Sequence, residues 1–363
     1  MDLNVLVLPG DGIGPEVIRE AVKVLAAVTD LAGHRLDAVE GLIGGAALAA
    51  TGEPLPPETR DRARSAGAVL LGAVGSPEFD VLPPDRRPER GLLDLRQAMG
   101  VFANLRPVRA WAPLAGASPL KDAVVAGTDL LIVRELTGGL YYGRPRGLFG
   151  DDTVAEAVNT MQYSYGEVER VARVAFDAAR RRRRKVASVD KSNVLECSQL
   201  WRRVVNDVAV DFPDVGLEHM LVDACAMQLV LDPSRFDVLL TENMFGDILS
   251  DEAAVLAGSI GLLASASLGD AGPEGCRAGL YEPVHGSAPD LAGRGAANPL
   301  GAIGSAAALL RFSFGLACEA DAVERAIDTV IAAGVWTADL RPDQPAGTAE
   351  VGDAVCAALR RAA

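Results

Sequence analysis

The sequence predicts a two-lobed α/β protein with a largely parallel sheet core, and not a Rossmann fold. Three observations carry this. Short β-type runs alternate with amphipathic helical stretches along the 363 residues, the pattern of strands joined by helical crossovers. Several of the strands in the middle of the chain end in charged side chains, and in sheets of this kind ligands bind beyond the carboxyl ends of the strands. The opening turn PGDGIGPE contains GxGxG, but Pro15 stands where the third glycine of the dinucleotide fingerprint belongs.

Taken in order, the first strand is expected at Asn4–Leu8 and the first helix at Glu16–Val28. Further strands are expected at Ala68–Ala73, Asp129–Val133, Lys185–Val189, His219–Val222 and Asp237–Leu240, with a second clear helix over Ser164–Arg184. From Gly258 to about Pro299 the chain is rich in Gly, Ala and Pro and reads as irregular, then turns helical. A chain of 363 residues is long for one core. The expected division is one lobe from both termini, residues 1–101 plus 258–363, and one from residues 102–257. The basic run Arg180–Lys185 falls at the end of a helix, where positive charge complements the dipole, so it reads as a solvated face.

The formal net charge of -14 argues against a nucleic-acid partner. The five cysteines form no CxxC pair, which fits reduced thiols in a cytoplasm better than a disulfide framework or a zinc site. The start lacks a signal-like pattern and no apolar run is long enough for a membrane span.

The chemistry-bearing residues cluster at strand ends. DLLIV is followed by Arg134, KVASVD by Lys191, HMLV by Asp223, and FDVLLTEN runs into a helix carrying Asp247 and Asp251. Four residues apart on a helix, those two carboxylates share a face. Hard oxygen ligands suit a divalent ion such as Mg²⁺, with Asp223 as a third; capping of the helix dipole is the ordinary alternative. Arg96 and Arg106, in LLDLRQAMGVFANLRP, join Arg134 as guanidinium groups able to grip a dicarboxylate by paired hydrogen bonds, or simply to pair with surface acids. In ELTGGLYYG, Tyr141 and Tyr142 follow a glycine turn. A tyrosine hydroxyl serves as a general acid when a cation lowers its pKa, although packing is the commoner role. The long segment LYEPVHGSAPDLAGRGAANP contains His285, and loops of that length tend to be functional.

Together GDGIGPE, FANLRP, VRELTGGLYYG, SVDKSNVLE, NMFGDILSD and LYEPVHGSAPD resemble the β-decarboxylating dehydrogenases, the family that includes isopropylmalate, isocitrate, homoisocitrate, tartrate and D-malate dehydrogenases. The likeness runs in order along nearly the whole chain and is strongest toward the isopropylmalate branch. It implies the two-lobed isopropylmalate-dehydrogenase-like fold, with a cofactor-binding lobe from the termini and a substrate, metal and dimer-interface lobe from the middle. It further implies NAD-dependent oxidative decarboxylation of 3-isopropylmalate to 2-oxo-4-methylpentanoate, a step of leucine biosynthesis.

Residue by residue, the resemblance implies that Arg96, Arg106 and Arg134 bind substrate carboxylates. Tyr141 and Lys191 fall at the catalytic tyrosine and lysine. Asp223, Asp247 and Asp251 would ligate Mg²⁺ or Mn²⁺, with Asp223 also beside the substrate. Lys191 and Asp223 would reach into a partner's site, so a homodimer is implied. NAD would lie on the loop carrying His285, Gly286, Ser287, Ala288, Asp290 and Asn298, with Asp290 accepting from the adenosine ribose and repelling a 2′-phosphate. NADP-using relatives carry Lys-Tyr where this chain has Asp290-Leu291. In ERGLL, Glu89 would repel a third carboxylate while Leu92 and Leu93, with Val194, would form an apolar wall for an isopropyl group.

Asn159, Ala264, Gly301 and Gly304 depart from the usual family pattern, and none falls at a catalytic position. Two alternatives stand beside the main reading. One is a sibling enzyme for D-malate, tartrate, homoisocitrate or another alkylmalate, since apolar pockets discriminate weakly by size. The other is a non-catalytic regulatory subunit, which would be expected to lack the lysine, tyrosine or aspartates present here.

Overall fold

The computed structural model describes residues 1–151, 153–272, 275–341 and 343–362. In chain order, β1 (Asp2–Gly10), α1 (Gly14–Leu31), β2 (Arg35–Glu40), α2 (Gly44–Thr51), α3 (Pro57–Ala66), β3 (Ala68–Ala73) and α4 (Pro88–Met99) come first. Then follow β4 (Ala103–Arg109), α5 (Asp122–Val125), β5 (Asp129–Glu135), the hairpin β6 (Arg146–Phe149) and β7 (Glu156–Asn159), α6 (Tyr165–Arg180), β8 (Lys185–Asp190), α7 (Glu196–Ala209), β9 (Gly216–Leu221), α8 (Val222–Leu231), β10 (Val238–Thr241) and α9 (Asn243–Ala254). The chain closes with β11 (Ala264–Ala271), β12 (Arg277–Pro283), α10 (Leu300–Ser313), α11 (Ala317–Ala332) and α12 (Thr348–Ala362).

The chain divides into two compact units. Unit 1 comprises Met1–Val101, Trp111–Ala117 and Ala257–Ala363, and unit 2 Phe102–Ala110 and Ser118–Leu256. The short segment Trp111–Ala117, placed by sequence with the middle of the chain, goes with unit 1; Trp111 Nε1 donates to Asp328 Oδ1 of α11 at 2.7 Å.

In unit 1 the strands run β2-β1-β3-β12-β11, parallel except where β11 and β12 pair antiparallel. Leu6, Leu8, Ile43, Leu55, Val69, Leu71, Leu95 and Leu280 form a buried cluster there. Fully burying one such side chain contributes about 1.5–3 kcal/mol. β11 and β12 correct the reading of this stretch as irregular. Their glycines, alanines and Pro283 conceal β-character, yet Ala266, Leu268, Leu280 and Tyr281 are buried on the pair. Gly301 has a local reason: a Cβ there would lie 2.7 Å from the Leu263 carbonyl oxygen, so only glycine lets α10 approach that backbone.

In unit 2 the order is β4-β5-β10-β8-β9, with β4 antiparallel to β5 and the remaining pairs parallel. Leu130, Ile132, Val189, Leu229, Leu239 and Leu249 are among its buried core. α6 begins at the expected Ser164, which caps it in a reciprocal capping box with Glu167, and ends at Arg180, four residues short of the expected Arg184. The basic run beyond it is ion-paired, Arg180 to Asp214 at 2.7 Å and Arg182 to Asp129 and Asp237 at 2.8 Å. All five cysteines are free thiols. Among the described residues no helix is long and apolar enough to cross a membrane.

Candidate active site

The parallel arrangement of unit 2 sets the carboxyl ends of β5 and β10 side by side, with Arg134 in register with Thr241. Two residues later α9 begins, capped by the Glu242 carboxylate, which accepts from the Phe245 and Met244 amides at 2.6 and 3.1 Å. α9 packs directly against β5 because residue 246 is glycine. A Cβ there would meet Thr241 Oγ1 at 2.3 Å and Arg134 Cγ at 2.7 Å.

That approach assembles a cluster around Asp247. Arg134 Nη1 donates to Asp247 Oδ1, the Tyr141 hydroxyl donates to Oδ2 at 2.7 Å, and Arg106 Nη2 lies 3.8 Å away. Arg106, from β4, is fixed by Asn104 Oδ1 at 2.8 Å and Ser250 Oγ at 2.7 Å, and reaches Asp251 at 3.4 Å. Five of the expected residues, Arg106, Arg134, Tyr141, Asp247 and Asp251, therefore meet in one place.

Tyr141 corrects one expectation. Its pKa is pushed up to about 12 by burial and then by the hydrogen bond and charge of Asp247, with the nearby Arg134 pulling weakly the other way. The arginine lies 5.7 Å from the ring centre, too little to outweigh the carboxylate. The hydroxyl is thus a protonated donor in this state.

Lys191 and Asp223 form a second feature of unit 2. Lys191 Nζ donates to Asp223 Oδ1 at 2.6 Å, and this contact holds the Asp223 carboxyl below its usual range. Among the described residues no group of three or more His, Cys, Asp or Glu side chains comes together as a metal site. Val194, expected in an alkyl wall, is exposed in this chain.

In unit 1, Arg96 donates to Glu282 at 2.7 Å, a pairing that sequence reasoning did not anticipate. Leu92, partly buried, packs against the buried cluster of that unit. Leu92 and Leu93 each lie one helical turn from both Glu89 and Arg96, so both flank the stripe of α4 that joins those two residues. The loop after β12 is anchored from α1 and the turn before it: Ile13 donates to the Ser287 carbonyl at 2.8 Å, and Glu16 accepts from the Gly293 and Gly295 amides at 2.5 and 2.9 Å. Gly286 and Asp290 are exposed, Ser287 half-buried, and Ala288 left-handed at φ +39°. His285 is buried, its Nδ1 near the Gly286 carbonyl oxygen at 2.9 Å and its Nε2 without a partner; burial pushes its pKa down, so the ring is neutral. Asn298 is buried, donating to Asp339 at 3.0 Å and accepting from the Leu300 amide at 3.1 Å.

The family model described as isocitrate/isopropylmalate dehydrogenase matches residues 4–355. The chain belongs to the isocitrate/isopropylmalate dehydrogenase family. It is a β-decarboxylating dehydrogenase. Relatives in this family include the 3-isopropylmalate dehydrogenase of Shouchella clausii, 55% identical over 364 residues that cover 99% of this chain and 98% of the relative. The protein of the same name from Aquifex aeolicus is 49% identical over 360 residues, covering 99% and 97%. Among solved structures, isocitrate dehydrogenase from Methylococcus capsulatus matches with a TM-score of 0.86 and 38% identity, covering 98% of this chain and 99% of that one. The apo β-decarboxylating dehydrogenase from Thermococcus kodakarensis matches at 0.79 and 36%, covering 98% and 96%. Family membership accounts for the non-Rossmann opening turn. Within the family fold GDGIGPE serves as an anchor: Asp11 accepts from the amides of Gly45, Ala46 and Gly75, each at 2.8 Å, while Glu16 holds the loop after β12.

Proposed function

We propose that this enzyme oxidatively decarboxylates 3-isopropylmalate with NAD, giving 2-oxo-4-methylpentanoate for leucine biosynthesis. The observation that carries the chemistry is the convergence of two arginines and a tyrosine on Asp247, with Asp251 joined through Arg106. The substrate rests on the near-full-length relatives named 3-isopropylmalate dehydrogenase and on Leu93, an apolar side chain between Glu89 and Arg96.

Arg106 and Arg134 hold substrate carboxylates, with fork geometry that lysine lacks. Arg96, paired with Glu282 in unit 1, is a further guanidinium able to grip a carboxylate. Asp247 and Asp251 are hard oxygen donors one helical turn apart, the donor set that suits Mg²⁺ or Mn²⁺; with Asp223 they would hold an ion that supplies Lewis-acid polarisation of substrate oxygens. The loop with His285, Gly286, Ser287, Ala288, Asp290 and Asn298 would hold NAD, the hydride acceptor. The buried, unpartnered Nε2 of His285 fits a ligand on that loop, and the exposed carboxylate of Asp290 suits a ribose diol and opposes a 2′-phosphate.

Lys191, as the neutral amine released from Asp223, takes the proton of the C2 hydroxyl as hydride leaves C2. The 2-oxo acid then carries a carboxylate β to its ketone, and the bond to CO₂ breaks. Tyr141, a protonated donor, delivers a proton to C3 of the enol. Lys191, Asp223 and the exposed Val194 would complete a partner's site in a homodimer, as the family resemblance implies. Met227, Val230 and Leu231 on α8 and Ile248 on α9 are exposed apolar side chains suited to such an interface. The free cysteines accord with a cytoplasmic enzyme.

Incubation with 3-isopropylmalate, NAD and Mg²⁺ should yield one NADH and one CO₂ per turnover. NADH without CO₂ would contradict decarboxylation, and no NADH would contradict the whole reading.

A further inference from the structure

We propose that Asn243 is the positioning residue that sets Arg134 for a substrate carboxylate. This rests on the reading of Arg134 as a carboxylate ligand. Arg134 is only 3% exposed, so its guanidinium must find fixed partners for its N–H groups. Asn243, 1% exposed and the first residue of α9, supplies them on one edge: Oδ1 accepts from Nε at 3.1 Å and from Nη2 at 2.8 Å.

Asn243 is itself fixed from two further sides. Its Nδ2 donates to the Gly138 carbonyl at 3.1 Å, in the turn that leads to Tyr141, and its backbone N–H donates to the Tyr163 hydroxyl at 3.0 Å. That hydroxyl donates in turn to Glu242, the cap of α9, at 3.1 Å. With the amide nitrogen committed to Gly138, only the carbonyl end of the side chain can face Arg134. The stem of the arginine is held separately, because Gly246 lies against its Cβ and Cγ. The plane of the guanidinium is thus set by a neutral acceptor on the Nε edge, and Nη1 is directed to the Asp247 side, where the anions of the reaction belong. Bidentate recognition of a carboxylate depends on that plane.

The test is a double-mutant cycle on the intact enzyme, with Asn243→Ala, Arg134→Lys and the pair, measured with 3-isopropylmalate and NAD each varied. Asn243→Ser, compatible with a helix start, replaces the alanine variant if that folds poorly. Asn243→Ala should raise the substrate KM about tenfold or more, the scale of hydrogen bonds to a charged group, and leave the KM for NAD within about twofold of wild type. In the double variant the Asn243 change should add little to the loss already caused by Arg134→Lys. Effects that multiply independently, or an equal rise in both KM values, would overturn the positioning role while leaving Arg134 as a ligand. An unchanged substrate KM in Arg134→Lys alone would instead sink the reading of Arg134.

Discussion

Leu93 and Leu92 make opposite predictions although they are neighbours on α4. Both flank the stripe from Glu89 to Arg96, but Leu92 packs on the buried cluster of unit 1 and Leu93 lies outside it. Leu93→Ala removes three carbons from the proposed isopropyl contact. A misfit of methylene size in an apolar pocket is worth about 1–3 kcal/mol, roughly ten- to two-hundredfold in kcat/KM. Stability should change little, since Leu93 is only half-buried and outside that cluster. Leu92→Ala should instead lower stability by about 2 kcal/mol, the low end for a partly buried leucine, with both substrates affected alike. The assay is kcat/KM for 3-isopropylmalate and for D-malate, which lacks the alkyl group, alongside a urea midpoint. Equal losses for both substrates in Leu93→Ala would show that Leu93 packs the protein and meets no ligand.

Lys191→Met should abolish hydride transfer by at least about a hundredfold, while Tyr141→Phe should impair decarboxylation or enol protonation on the same scale; near-normal turnover of Lys191→Met would refute its role as base. Exhaustive chelation should remove activity and added Mg²⁺ or Mn²⁺ restore it, so activity that survives chelation would end the assignment of Asp223, Asp247 and Asp251. NAD should be strongly preferred over NADP, and replacing Asp290-Leu291 by Lys-Tyr should weaken NAD use; equal kcat/KM with both cofactors in the wild type would contradict the role of Asp290.

β5, β8, β9 and β10 of unit 2 were legible because their runs end in charge, as at Arg134 and Lys191, whereas β4 and the hairpin β6–β7 were not foreseen. The four-residue spacing of Asp247 and Asp251 marked a shared helix face, with capping as the alternative, and Arg106 lies within 4 Å of both. β11 and β12 were hidden, since small residues and glycine give no β-signal unless their partner strands are known. Leu92 and Leu93 could not be separated until the register of α4 against its core was fixed. Glu282, Asn243 and Tyr163 left no local signal: each acts through a partner distant in sequence, Arg96 for Glu282, Arg134 for Asn243 and Glu242 for Tyr163. The segment Trp111–Ala117 belongs to unit 1, with a tertiary bond from Trp111 to α11, which no composition shift marks. For Tyr141, sequence reasoning foresaw a cation nearby, but the stronger neighbour is a carboxylate.

The most direct measurement is NADH formation by the wild-type enzyme across a panel of 2-hydroxy dicarboxylates with Mg²⁺ present. Glu89 and Leu93, one helical turn apart on α4, disfavour a third carboxylate and favour an alkyl group. The kcat/KM for 3-isopropylmalate should therefore exceed that for isocitrate by orders of magnitude and that for D-malate by a smaller factor. A preference for D-malate or isocitrate would contradict the proposed substrate.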